Sequence, residues 1–392
     1  MESVRGMGVK RIFAGPIVLA VLALLLLGGR NAAAQATTET PAKQAILIDH
    51  ATGTVLFAKN SEQAMPPSSM SKLMTLYVLF DRLANGGLNM DDTFPVSEKA
   101  WRMGGSKMFV RVNTQVTIAD LIRGIIIQSG NDACIVVAEG IAGDEASFAN
   151  LMNETARKLG MFDSHFINAS GWPHPEHVTT AKDLSILAGR LVDDFPQYYP
   201  IFAELSFTYS KIRQGNRNPL LYKNIGADGL KTGHTEAAGY GLVASAKKNG
   251  RRLHLVLNGL TSVNQRSRES QRLLAWGFRE FGNYALFKAG ERVADAAVWL
   301  GDEGSVPLLI EEPLTIIISR KARRAMKVSV NYLGPLPAPI AKGQAVATLR
   351  IEAPNMAAIE RPLIAGADVR RKGFVGRLGT ALEHLLFGGI SD

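Results

Sequence analysis

Residues 44–49 and 54–58 alternate apolar and polar positions on either side of His50-Ala51-Thr52-Gly53, a pattern that predicts a β-hairpin. From 69 to 85 the apolar positions Met70, Leu73, Met74, Leu76, Tyr77 and Phe80 recur at helical spacing and stop at Gly86-Gly87. The same period predicts helices over 118–127, 133–141, 145–159 and 181–193. After Gly229 the text turns to β: segments 239–247 and 252–259 flank a Lys248-Asn249-Gly250 turn, and a helix follows over 266–281. Strands at both ends of a helical block predict an α/β (α+β) domain whose first and last strands share a sheet flanked by a helical cluster.

From about Glu291 the chain changes to short β-type runs, among them 314–319, 327–332 and 345–351, separated by Gly- and Pro-containing turns as in a small β-sandwich. At the end, Arg370-Arg371-Lys372 leads into 374–387, where Phe374, Val375, Leu378, Ala381, Leu382, Leu385 and Leu386 share one helical face opposite Arg377, Thr380, Glu383 and His384. That face suits either a helix docked on the β domain or one lying in a membrane interface. At the other end, Arg5, Lys10 and Arg11 precede an apolar run over 12–27 and the small residues Ala32-Ala33-Ala34, the layout of a secretory signal peptide cleaved after Ala34. The expected organisation is a signal peptide at 1–34, a disordered leader at 35–43, a catalytic domain at 44–287, a small β-rich domain at 288–368 and an amphipathic tail at 369–392.

At 392 residues, with 46% hydrophobic and 20% charged residues, the chain is long enough for two or three folded domains and is neither disordered nor polytopic in composition. The formal net charge is +9, part of which Arg5, Lys10, Arg11 and Arg30 place in the signal peptide. The remainder is scattered and only 7% of residues are aromatic, so a nucleic-acid partner is not expected. The single cysteine, Cys134, cannot form an internal disulfide and reads as a small core hydrophobe. His165, His174 and His177 lack metal-ligand spacing and read as surface residues; no metal or cofactor is called for.

Three short elements carry the chemistry: Ser69-Met70-Ser71-Lys72, Ser129-Gly130-Asn131 and Lys231-Thr232-Gly233. A serine hydroxyl needs a base within reach, and at a helix start residues i and i+3 share a face, so Lys72 can approach Ser69 Oγ. To accept a proton Lys72 must be neutral, which burial and a neighbouring cation such as Lys231 would favour. Ser129 and Asn131 fall at a turn between two helices, where hydroxyl and amide can relay a proton and hold a substrate amide. Lys231-Thr232-Gly233 opens the β-rich stretch as an edge strand would, fit to pair with an extended peptide and grip its carboxylate. Penicillin-binding proteins and class A β-lactamases carry three elements of this kind, with Asp where this chain has Gly130. Together they point to acyl transfer from a peptide with a free carboxylate.

The segments PPSSMSKLMT, LIRGIIIQSGNDAC and DGLKTGHTEAAGYGLVASA resemble the serine D-alanyl-D-alanine carboxypeptidases, the low-molecular-mass penicillin-binding proteins of the peptidase S11 family. The resemblance covers about 44–281 and, through NRNPLL and the second β domain, nearly all of the mature chain. It implies a penicillin-binding/β-lactamase-like transpeptidase domain in which Ser69 attacks the carbonyl between the terminal D-alanines of a peptidoglycan stem peptide. Lys72 would be the acylation base, Ser129 a proton relay and Asn131 a substrate contact. By the same resemblance the N–H groups of Ser69 and His234 would form the oxyanion hole. Lys231, Thr232 and Gly233, with Arg217 and Arg266, would surround the substrate carboxylate. The resemblance further implies covalent binding of β-lactams at Ser69, and a carboxy-terminal helix that anchors the enzyme to the periplasmic face of the cytoplasmic membrane. The segment Asn168-Ala169-Ser170-Gly171-Trp172-Pro173 departs from some members of the family.

A class A β-lactamase would add a Glu-x-x-Leu-Asn loop to drive deacylation, and no such string lies between Asn131 and Lys231. A catalytically silent wall-binding penicillin sensor is the other alternative, against which the intact Ser69, Lys72, Ser129 and Lys231 stand.

Overall fold

The computed structural model describes residues 38–354 and 356–373. The expected signal peptide and the 374–387 helix lie outside them. The described chain divides into two compact units at Phe281.

In the first unit, β1 (Gln44–Asp49) and β2 (Val55–Lys59) form the expected hairpin. The unit's later strands are β3 (Ala227–Thr235), β4 (Gly239–Lys248) and β5 (Arg251–Leu260). They complete an antiparallel sheet of order β2-β1-β5-β4-β3. First and last strands therefore do share the sheet, with Ile46 opposite Val256, and β3 is an edge.

Between the hairpin and β3 lie the helices α1 (Lys72–Ala84), α2 (Ile118–Ile126), α3 (Asn131–Ala142), α4 (Glu145–Leu159) and α5 (Ala181–Asp194). Side-chain caps set three of their starts: Thr117 accepts from Asp120 N, Asp144 from Ser147 N and Thr180 from Asp183 N. Helix α1 is apolar nearly all round and buried, and Phe80 packs against the rings of Phe195, Tyr198 and Phe202. Its core is continuous with Ile46, Val243 and Val256 of the sheet. Helix α6 (Val263–Glu280) covers the opposite face, where Trp276 meets Phe57 edge-on and Gly277 leaves room for Leu47 and Leu253. The sheet is thus a middle layer with one edge strand left open beside the amino terminus of α1.

Residues 38–43, expected to belong to a disordered leader, are part of the folded unit. Thr40 and Ala42 are buried; Thr40 donates to Glu269 at 3.1 Å, and Arg272 donates to Thr38 at 2.9 Å. Polar residues that look featureless in sequence find their partners on α6.

The second unit begins at Phe281 rather than at 288, because β6 (Phe281–Phe287) pairs with β9 (Leu314–Ser319). Its other strands are β7 (Arg292–Trp299), β8 (Ser305–Ile310), β10 (Lys327–Asn331), β11 (Leu336–Pro337), β12 (Ala345–Glu352) and β13 (Ile359–Ala365). They form a sheet of order β10-β12-β13-β8-β7-β11. The two sheets close over Leu308, Ile318, Leu349, Ile351 and Leu363, the sandwich core that the short β-type runs predict. Val369 and Arg371 bridge to Ile340 and Gly301, so the first residues assigned to the tail belong to this unit.

Candidate active site

A 3-10 turn, Ser68–Ser71, runs directly into α1, and Ser68 takes a positive φ of 49°. In such a turn residues i and i+3 eclipse, so Ser69 stands over Lys72 and does not cap the helix. Lys72 Nζ lies 2.9 Å from Ser69 Oγ, 2.7 Å from Asn131 Oδ1 and 2.5 Å from the carbonyl oxygen of Ser170. Lys72 has no exposed surface, and burial pulls its pKa down to about 8, with Arg217 acting in the same direction. Two of the three partners can only accept. A neutral amine therefore commits its two hydrogens to Asn131 and Ser170 and turns its lone pair to the Ser69 hydroxyl.

Asn131 is the first residue of α3; its side-chain amide donates to Gly104 O at 2.9 Å, and its backbone N–H donates to Ser106 O at 2.7 Å. The next residue, Asp132, is fully buried and accepts from the backbone N–H groups of Met108, Phe109 and Val110 at 2.9, 2.8 and 3.2 Å. Loop 104–110 is thereby pinned to the start of α3. Ser129 precedes it in the left-handed region (φ 60°), a conformation that costs a non-glycine residue about 1 kcal/mol. Its Oγ accepts from Lys231 Nζ at 3.0 Å.

Lys231 is buried on the edge strand, and burial, reinforced by Lys72, Arg217 and Arg266, holds its pKa well below the usual lysine range. Arg217 donates to Ser106 Oγ at 2.6 Å, and burial lowers its pKa too. Arg266 lies over the Tyr240 ring at 5.7 Å; burial takes its pKa to about 10, and its Nε has no hydrogen-bond partner among the described residues. His234 stacks on the same Tyr240 at 3.9 Å. These cations are crowded with little neutralising charge, an arrangement that favours an incoming anion.

Thr232 is buried between Lys231 and Gly233 and pairs with Leu242. Gly233 is held closely against the turn that precedes α1. A Cβ there would meet Met70 Cγ at 3.0 Å, the Pro67 carbonyl at 3.1 Å and Ser68 Cβ at 3.3 Å. The glycine lets the edge strand pack against the turn that carries Ser69.

Loop 168–173 closes the remaining side. Asn168 Oδ1 gathers the N–H groups of Ser170, Gly171 and Trp172 at 3.2, 2.8 and 2.9 Å. At Gly171 (φ 77°) a Cβ would fall 1.9 Å from Ser68 O, so only glycine permits this approach. His177 corrects the surface reading: it is buried and lies 2.8 Å from Ser71 Oγ through Nε2, while Ile167 N donates to its Nδ1 at 3.4 Å. That pairing sets the ring as an Nε2–H donor. Burial lowers its pKa to about 4. Ser170 and His177 are the site residues that sequence reasoning misses. Cys134 is buried and its thiol is pushed up to about 12, which keeps it protonated.

A cleft of about 260 Å³ opens over Ser69, bordered by Ser106, Asn131, Ser170, Trp172 and His234. No Asp or Glu lines it among the described residues. The fold and site define a serine acyl-enzyme of the penicillin-binding/β-lactamase-like class, carrying a separate β-rich domain. A family profile described as D-alanyl-D-alanine carboxypeptidase matches residues 30–261, and one described as the C-terminal domain of penicillin-binding protein 5 matches residues 281–371. The chain belongs to the peptidase S11 family of D-alanyl-D-alanine carboxypeptidases. It is 40% identical over 357 residues to D-alanyl-D-alanine carboxypeptidase DacC of Escherichia coli, covering 88% of this chain and 89% of that one. Among solved structures it is similar to DacD from Francisella tularensis (TM-score 0.79, 30% identity, 86% of this chain and 95% of that one). It is also similar to penicillin binding protein 5 from Haemophilus influenzae (TM-score 0.72, 35% identity, 86% of this chain and 100% of that one).

Proposed function

We infer that the chain is a serine D-alanyl-D-alanine carboxypeptidase that removes the terminal D-alanine from peptidoglycan stem peptides. The observation that carries this reading is the 2.9 Å contact between Lys72 Nζ and Ser69 Oγ, with the other Lys72 partners restricted to acceptors. Ser69 Oγ attacks the carbonyl between the two D-alanines as its proton passes to Lys72 Nζ. The N–H groups of Ser69 and His234 receive the oxyanion. Ser129, held by Lys231, relays the proton that Lys72 took from Ser69 to the departing D-alanine amine, regaining one proton as it gives one up, and Asn131 holds the substrate amide. The terminal carboxylate sits among Lys231, Thr232, Arg217 and Arg266, with Gly233 keeping the strand against the catalytic turn. Water then releases the shortened peptide. A β-lactam enters the same path and leaves its acyl group on Ser69.

The signal-peptide-like segment at 1–34 and the tail at 369–392 support export and attachment to the periplasmic face of the cytoplasmic membrane. Their basic and apolar patterning is the basis for that part of the reading. No helix among the described residues is long and apolar enough to cross a membrane. Incubation with Nα,Nε-diacetyl-L-Lys-D-Ala-D-Ala tests the activity. The reading requires free D-alanine from the native enzyme and none from Ser69→Ala; a silent binding protein releases none from either.

A further inference from the structure

No Asp or Glu occurs between Glu312 and Glu352, and within that stretch Arg320, Lys321, Arg323, Arg324 and Lys327 fall together, against an otherwise scattered distribution of charge. They occupy the turn that joins β9 to β10. Ser319 Oγ accepts from Ala322 N at 3.1 Å and starts a short helix, Arg320–Arg323, whose Ala322 packs into the sandwich core. With Ala322 inward, Arg320, Lys321, Arg323 and Arg324 are exposed, as is Lys327. None of them forms an ion pair among the described residues; Arg323 lies over the Tyr284 ring at 4.1 Å, a contact that holds the side chain without neutralising it. Glu352, opposite Lys327, is taken by Arg350. Elsewhere in the unit Arg292 is paired with Asp295, and Arg350 with Glu360 as well. Like charges crowded without internal partners repel one another, and an external polyanion relieves that repulsion.

The strand register places this turn away from the tail. Arg371, at the entry to the tail, bridges to Gly301 just past the end of β7. Strand β8 starts beside that end, with Ser305 opposite Ala297, and runs away from it to Ile310, opposite Leu363. Leu363 lies opposite Ala347 of β12, which continues in the same direction to Glu352, opposite Lys327. The basic turn and the tail therefore leave opposite ends of the sandwich, roughly 30 Å apart at a strand's rise. If the tail holds the membrane, the turn faces away from lipid headgroups. Resting on the carboxypeptidase and tail-attachment readings, we propose that the turn docks the enzyme on peptidoglycan through the carboxylates of its stem peptides, as a contact separate from the Ser69 cleft. Each stem peptide ends in a carboxylate, so the polymer repeats the negative charge that the turn lacks. Removing one D-alanine exposes the carboxylate of the residue before it, and the contact survives turnover. A second attachment to the same polymer raises the effective concentration of the remaining stem peptides at the cleft.

Co-sedimentation of the full chain with purified peptidoglycan sacculi tests this, after treatment with benzylpenicillin so that the Ser69 cleft is closed to the polymer. The native protein should pellet with the sacculi at low salt and be released as salt is raised. Arg320→Glu/Arg324→Glu should bind roughly tenfold more weakly, the scale set by losing and reversing two exposed charge contacts. Without penicillin, the same variant should keep the native kcat/KM on Nα,Nε-diacetyl-L-Lys-D-Ala-D-Ala and release D-alanine more slowly from sacculi. Equal sedimentation of native and variant proteins overturns the inference, as does a variant that loses binding to phosphatidylglycerol vesicles while its binding to sacculi is unchanged. Failure of the native enzyme to release D-alanine from the tripeptide overturns the carboxypeptidase reading instead, and the sedimentation result still decides the contact at the turn.

Discussion

The backbone carbonyl of Ser170 accepts a hydrogen bond from Lys72 Nζ at 2.5 Å. With Asn131 Oδ1 it leaves the lysine only one direction in which to use a lone pair, toward Ser69. The proposed base is thus oriented by a loop atom that any residue could supply, and the loop is in turn fixed by Asn168, Gly171 and His177.

Since Lys72 titrates at about 8 chiefly through burial, acylation should respond to pH in the alkaline direction. Below that value the ammonium cannot take the Ser69 proton, so kcat/KM should fall about tenfold for each pH unit. Arg217 contributes to the lowering; Arg217→Gln should move the inflection to higher pH in addition to weakening substrate binding. A pH profile of D-alanine release reads both effects, and an inflection that stays in place would separate Arg217 from the base.

Because no carboxylate lines the cleft among the described residues, a penicilloyl group on Ser69 should persist. Pulse labelling with a fluorescent penicillin, followed by a chase with unlabelled drug, should show slow loss of label. Rapid multiple-turnover nitrocefin hydrolysis would instead place the chain with the β-lactamases in activity.

Asp132 holds three backbone N–H groups of loop 104–110 from a fully buried position. Asp132→Ala would leave them unpaired, at a cost of about 3 kcal/mol or more. Denaturant unfolding should register that loss, and penicillin labelling should slow as Ser106 and Asn131 lose their common anchor. Unchanged stability would show that the loop is held by other contacts.

Acid should destabilise the fold before it protonates most carboxylates. Burial lowers the pKa of His177 to about 4 and that of His254 to about 3, from an ordinary 6.5. Between about 6.5 and 4 the unfolded chain binds protons that the folded chain refuses, so stability falls as pH drops through this window, by up to about 2.7 kcal/mol per unit for two such groups. His254→Leu should flatten the slope by about half in urea titrations at pH 6.5, 5.5 and 4.5; an equal slope would exclude His254 as a source.

The parts of this arrangement that sequence reveals are those whose chemistry is local. Ser69 and Lys72 announce themselves by spacing, and the β-type runs that form β1, β4 and β5 are strong enough to give both the sheet and the helical block between its strands. Ser170 and His177 are silent because one acts through a carbonyl, which carries no side-chain signature, and the other is buried only once its loop folds onto Ser71. The packing role of Gly233 is hidden for a related reason: its small size serves contact with Met70 and Pro67, across more than 160 residues of chain. The unit boundary at Phe281 is hidden because α6 passes into β6 without a polar or proline-rich linker.

Peptide mapping by mass spectrometry after exposure to benzylpenicillin tests the central claim most directly, since it asks which oxygen Lys72 has made nucleophilic. The account predicts one penicilloyl adduct, on the peptide containing Ser69, lost in Ser69→Ala and strongly reduced in Lys72→Met. An adduct on Ser129 or elsewhere, or full modification of Ser69 in Lys72→Met, would contradict it.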